Sequence, residues 1–175
     1  GPVRQQIGVR TIFNMLGPLL NPGNVDNQII GVFSDSVLNI YKEVFKKRDG
    51  KNAFIIHGYK GMDEISTEGE NLIYSKEYGE IIFDPNEINI NRPNDSELKG
   101  DKPGYNANRI IDIFTGKKDS FYEIVCINAA FAFLLASNKE PIKKNISEYY
   151  ELSKSIIDSG AAEKKLKDLT LFTKQ

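Results

Sequence analysis

NQIIGVFSDSVLNIYKEVFKKRDGKNAFIIHG, residues 27–58, decides the fold. Its first seven residues, Asn27 to Phe33, are rich in β-branched side chains and follow a cluster of turn formers, the pattern of a buried strand. Ser34 or Asp35 then caps a helix from Ser36 to Lys47, with Val37, Ile40, Tyr41, Val44 and Phe45 on one face. Arg48-Asp49-Gly50 ends that helix, and Asn52 to Gly58 reads as a second buried strand. Strand, helix, strand in this order predicts a right-handed crossover between parallel strands. The expected class is therefore α/β.

Beyond residue 58 the pattern changes. Ile65 to Ser66, Asn71 to Ser75 and Gly79 to Phe83 are short strand candidates separated by glycine-containing turns, which suits an antiparallel meander at a sheet edge. Asp84 to Tyr105 carries Pro85, Pro93 and Pro103 and is expected to be a loop with one helical turn at most. Asn106 to Thr115 is amphipathic through Ile110, Ile111, Ile113 and Phe114. Tyr122 to Ser137 is apolar nearly all round and must be central. Ser147 to Ser159 and Ala161 to Thr170 are amphipathic, with Gly160 as the break between them. One domain, residues 1–175, accounts for the whole chain.

On the other side of the opening stretch lies RQQIGVRTIFNMLGPLLNP, Arg4 to Pro22. Gly8, Gly17, Pro18, Asn21 and Pro22 turn the backbone repeatedly, and Ile12, Phe13, Met15, Leu16, Leu19 and Leu20 can pin those turns to a core. A guanidinium on such pinned backbone suits a planar anion, to which it donates two parallel hydrogen bonds. The other reading is a buried structural loop in which Arg4 and Arg10 cap carbonyls, and composition alone favours it.

Composition excludes several classes. The 175 residues carry a formal net charge of -1, which exerts no long-range pull on nucleic acid or an anionic membrane. The single cysteine, Cys126, rules out a disulfide framework, and its setting EIVCINAAFAFLL is that of a packing residue. No unbroken apolar run reaches membrane-spanning length, the longest being Ala129 to Ala136. With no signal peptide at the start, a reducing cytoplasm is the default expectation. The chain opens without methionine, on a Gly1-Pro2 that is either native or a tag scar, and this suggests a piece of a longer protein.

The sharpest chemical candidate is HGYKGMDE, His57 to Glu64, directly after the second strand. Functional groups of α/β folds gather at the carboxyl ends of parallel strands. Two adjacent carboxylates on a glycine-rich loop there are suited to Mg²⁺, a hard cation that keeps waters and substrate phosphates. A solvated acidic turn is the alternative. His57 is the only histidine, so a multi-histidine zinc site or a histidine triad has nothing to build on, and a hydrogen-bonded structural role is expected for it. Neither a P-loop nor a GxGxxG motif occurs.

Taken in order, RQQIGVRTIFNMLGPLLNP, QIIGV, HGYKGMDEIS, NAAFAFL and IDSGAAEKKL resemble the anthranilate phosphoribosyltransferase family, within the nucleoside phosphorylase-like phosphoribosyltransferase superfamily. The likeness covers nearly the whole chain but corresponds to the C-terminal half of that family. It implies an absent N-terminal helical domain, an absent glycine-rich loop for the sugar donor, and a fragment inactive by itself. It also implies a mixed sheet, parallel core strands plus an antiparallel meander, flanked by helices. By the resemblance, Arg4 binds anthranilate, Gly17 and Pro18 line the same aromatic site, and Asp63 and Glu64 hold Mg²⁺ for the diphosphate of 5-phosphoribosyl 1-diphosphate. Arg10, Thr11 and Asn14 match the motif as scaffolding. The implied protein is a cytoplasmic enzyme of tryptophan biosynthesis, a homodimer at full length, with no nucleic-acid or membrane partner. Two other readings stay open: a pyrimidine nucleoside phosphorylase-like enzyme, and a non-catalytic nucleic-acid-binding paralogue, which should show a basic surface and a broken acidic pair where this chain has near-neutral charge and an intact Asp63-Glu64.

Overall fold

The computed structural model describes residues 12–88, 90, 95–137 and 142–174. Arg4, Arg10 and Thr11 lie outside them. A short helix α1, Phe13–Leu16, runs into a 3₁₀ turn, Gly17–Leu20. Strand β1, Asn27–Gly31, is followed by helix α2, Asp35–Lys46, and strand β2, Asn52–His57. The meander β3, Asn71–Ser75, and β4, Gly79–Phe83, comes next. Helices α3 (Pro103–Phe114), α4 (Ser120–Ser137), α5 (Ile142–Asp158) and α6 (Ala161–Phe172) complete the chain.

The sheet order is β1-β2-β3-β4, with β1 and β2 parallel and both later pairings antiparallel. This is the mixed sheet expected from the sequence. Alternation along β2 explains the layering. Ala53 and Ile55 face Val37, Leu38, Tyr41 and Phe45 of α2 in one apolar cluster. Phe54 and Ile56 face the opposite way, into a larger cluster built on α4 and α5. Phe131 of α4 meets Phe54 and Phe83 edge-on, with ring centroids 6.1 and 5.1 Å apart.

Helix α2 begins where Ser34 caps it, the hydroxyl accepting the Val37 N–H. Its buried face differs from the expected one: Leu38 is buried and Ile40 is half exposed, because the stripe facing the sheet runs through 37, 38, 41 and 45. Strand β1 is also less buried than expected. Ile30 is covered by α2, while Ile29 on the other face remains partly open. Helix α3 starts earlier than the proline-rich pattern suggested. Pro103 sits in its first turn, where a missing N–H costs nothing, and two 3₁₀ turns, Pro85–Ile88 and Asp95–Leu98, precede it. Arg109 on α3 stacks over Phe121 and bridges Asp112 and Asp119, tying α3 to the start of α4.

Helix α4 is long and apolar enough to cross a membrane by length and composition, although no unbroken apolar run in it is. Here its residues Tyr122, Cys126, Ile127, Ala130, Phe131, Leu134 and Leu135 belong to the larger core cluster. Cys126 is wholly buried there, and burial pushes its thiol up to about 12, so it packs rather than reacts.

Ile65 and Ser66 form no strand. Both are buried, and their backbone groups are taken by asparagine side chains instead of by a neighbouring strand. An extended apolar segment looks the same in sequence whichever partner satisfies it.

Candidate functional site at the parallel strand ends

Parallel strands β1 and β2 end side by side, at Gly31 and His57. The chain leaving β2 turns tightly through Tyr59–Gly61, with Gly58 N–H donating to the Met62 carbonyl at 2.8 Å. It then crosses back over both strand ends, and that crossing carries Asp63 and Glu64.

Two glycines make the crossing possible. A Cβ placed on Gly31 would lie 1.5 Å from the Asp63 carbonyl oxygen, and one on Gly58 would lie 2.1 Å from that of Glu64. No side chain fits either place, so the main chain of the acidic pair rests directly on the two strand ends. Both carboxylates are exposed. Partial burial of the Glu64 carboxyl, and then the Asp63 charge beside it, raises it above the usual carboxylate range.

His57 locks the same strand ends. The Val32 carbonyl can only accept, so at 3.0 Å it fixes the proton on His57 Nδ1. Nε2 faces Asp35, in the first turn of α2, at 3.5 Å. This is the hydrogen-bonded structural role expected for the lone histidine. Tyr59 covers Gly69, where a Cβ would fall 2.6 Å from its ring, and so closes the far side of the loop.

The donor set fits Mg²⁺. Among the described residues no cluster of three or more His, Cys, Asp or Glu exists that could cage a metal unaided. Two adjacent carboxylates on residues exposed to solvent suit a hard cation that retains waters and takes further oxygens from a phosphorylated ligand.

Gly17 and Pro18 lie elsewhere on the molecule. The Pro18 carbonyl accepts from Gln28 Nε2 at 2.9 Å, near the start of β1, whereas the acidic loop lies over its end. At the rise of a strand these points are roughly 10 Å apart along β1. Gly17 is exposed, with nothing within 4 Å of where its Cβ would be, and Ile12, Phe13 and Leu20 beside it are also exposed. Met15 and Leu19 anchor the segment to the α2 cluster. The turn is thus anchored on the α2 face of the sheet, whereas Ile65, next to the acidic pair, is buried in the larger cluster on the other face. Sequence reasoning missed Gly31, Gly58 and the asparagines behind Ile65. A glycine inside a β-branched run was the available signal for the first.

Residues 1–163 match the family described as "Glycosyl transferase family, a/b domain". The chain is 39% identical over 172 residues to an anthranilate phosphoribosyltransferase of Pelagibacter ubique, covering 97% of this chain and 51% of that protein. It is 35% identical over 164 residues to that of Caldanaerobacter subterraneus, covering 92% and 47% respectively. The crystal structure of anthranilate phosphoribosyltransferase from Thermus thermophilus superposes with a TM-score of 0.87 at 31% identity, over 100% of this chain and 51% of that one. The Saccharomyces cerevisiae enzyme in complex with PRPP and Mg gives 0.83 at 27%, over 95% and 47%. The chain thus spans about half the length of the curated relatives it matches.

Proposed function

The chain belongs to the glycosyl transferase family, a/b domain, and from that premise we propose that it is the C-terminal half of an anthranilate phosphoribosyltransferase. The observation that carries this reading is the acidic loop seated on Gly31 and Gly58 at the parallel strand ends. Asp63 and Glu64 would hold Mg²⁺, which when bound neutralises the diphosphate of 5-phosphoribosyl 1-diphosphate as it departs.

In the reaction the anthranilate nitrogen forms a bond to the anomeric carbon of the sugar. The bond from that carbon to the diphosphate oxygen breaks, the leaving group keeps the electron pair, and the nitrogen loses one proton to water. The protein's share is positioning and charge stabilisation, with no covalent nucleophile. Arg4, through bidentate contact with the carboxylate, and the exposed turn at Gly17 and Pro18 form the anthranilate side. The bare backbone of Gly17, next to exposed Ile12, Phe13 and Leu20, supports that assignment. The complete protein is a cytoplasmic homodimer in this reading, and the 175-residue chain does not turn over alone.

The test is turnover of anthranilate by the full-length protein with 5-phosphoribosyl 1-diphosphate and Mg²⁺. Wild type is expected to be active, and the double variant Asp63→Asn, Glu64→Gln to lose at least about 100-fold in kcat/KM, the scale of a removed charge-stabilising group. Full activity in the double variant would refute the reading.

A further inference from the structure

The peptide after Glu64 is held by one side chain from a distant part of the sequence. Asn128, in the middle of α4, accepts the Ile65 N–H on Oδ1 at 2.8 Å and donates from Nδ2 to the Ile65 carbonyl at 3.0 Å. The second Nδ2 hydrogen goes to the Ile124 carbonyl, one turn back in the helix, at 2.9 Å. Both donors and the acceptor of the amide are therefore used. The two bonds to Ile65 copy the paired bonds that a neighbouring strand would make. Asn71 repeats the device one residue on. It accepts the Ser66 N–H at 2.7 Å and donates to the carbonyls of Ser66 at 3.0 Å and Gly69 at 2.8 Å.

Ile65 itself is fully buried, so an unpaired peptide there would be costly. The acidic pair is consequently clamped from both sides. Upstream its main chain rests on Gly31 and Gly58, and downstream it is pinned by an amide on a core helix.

We propose that Asn128 is a positioning residue for Asp63 and Glu64, holding the main chain at Ile65 so that both carboxylates are presented together over the ends of β1 and β2 as one cation-binding unit. This rests on the reading that the acidic pair holds a divalent metal. Only an asparagine answers both halves of the Ile65 peptide from this place. Aspartate is acceptor-only when ionised and would repel the carbonyl, while alanine answers neither group.

The experiment is a Mn²⁺ titration of the full-length protein followed by electron paramagnetic resonance, alongside the KM for anthranilate. The variants are Asn128→Asp, Asn128→Ala, Glu64→Gln and, as a buried control on the same helix, Cys126→Ala. Asn128→Asp and Asn128→Ala are expected to weaken Mn²⁺ binding about 10-fold, the usual scale for a group that orients a metal ligand. The anthranilate KM should stay within about twofold, and Cys126→Ala should change neither quantity. Asn128→Asp is nearly isosteric and decides the matter if the alanine variant does not fold. It also adds a negative charge, so an effect of charge alone would tighten Mn²⁺ binding, opposite to the expected loss. Unchanged or tightened Mn²⁺ binding in Asn128→Asp, with weakened binding in Glu64→Gln, would overturn the proposal and leave the metal reading standing. Unchanged binding in Glu64→Gln would remove the metal reading and this proposal with it.

Discussion

Strand β1 ends in a glycine and β2 is followed by one, and another stretch of backbone lies on both, whereas strands β3 and β4 are joined by a turn and packed by side chains. At the parallel end, Gly31 and Gly58 leave no room for a Cβ because the carbonyls of Asp63 and Glu64 occupy it. In the meander, Ile73 and Phe83 are wholly buried, and Phe83 packs edge-on against Phe131. Gly79, at the β3–β4 turn, has open space around it and is required only by its φ of +74°. One region spends its glycines on proximity and the other on conformation. Close approach of main chain fixes the backbone of the acidic pair, while close packing of side chains builds stability.

That contrast can be broken by two substitutions of different kind. Phe83→Ala should cost about 3–5 kcal/mol of stability, because it empties a fully buried aromatic position. The folded fraction should bind Mn²⁺ as before. Gly31→Ala should also destabilise, by about 3 kcal/mol or more because the clash is with backbone, and in addition abolish most Mn²⁺ affinity by lifting Asp63 off the strand end. Urea unfolding of both variants, paired with metal titration, checks the separation. If Phe83→Ala damaged metal affinity as much as Gly31→Ala, the two regions would not be distinct.

A smaller effect sharpens the picture. The Glu64 carboxyl is raised in the folded state by burial and by Asp63. Folded protein therefore holds this proton more tightly than unfolded chain. Metal-free stability falls as pH rises from the ordinary glutamate value through the raised one. Glu64→Gln lacks that loss. It should match wild type in acid and exceed it at neutral pH by at most about 0.5 kcal/mol, the scale of a solvent-reached carboxylate. Saturating Mg²⁺ should reverse the order, since binding then stabilises wild type. Thermal melts across pH, with and without Mg²⁺, measure both.

Much of this was legible in residues 27–58. The β-branched runs gave both parallel strands, Ser34 gave the helix cap, and the glycine-bracketed acidic pair fell at the strand ends as expected. The meander was legible from its alternation and its turn at Gly79. Other features were not, for identifiable reasons. Ile40 and Leu38 are equally apolar, and only the angle at which α2 meets the sheet decides which is buried. Ile65 reads as strand because extended backbone bonded to an amide side chain has the composition of extended backbone bonded to a strand. Asn128 did leave a trace: a lone amide in a helix apolar nearly all round must find partners, and sequence cannot say where. Asp63 and Glu64 could be named as a pair, but not the fact that two glycines on separate elements seat them.

The central claim is that these two carboxylates form the cation site of a sugar-diphosphate enzyme. Anomalous diffraction from a crystal of the full-length protein grown with Mn²⁺ and 5-phosphoribosyl 1-diphosphate tests it most directly. The account predicts a Mn²⁺ peak in coordination distance of the Asp63 or Glu64 carboxylate, with diphosphate oxygens completing the shell. Mn²⁺ and diphosphate found together elsewhere, with both carboxylates unligated, would contradict it.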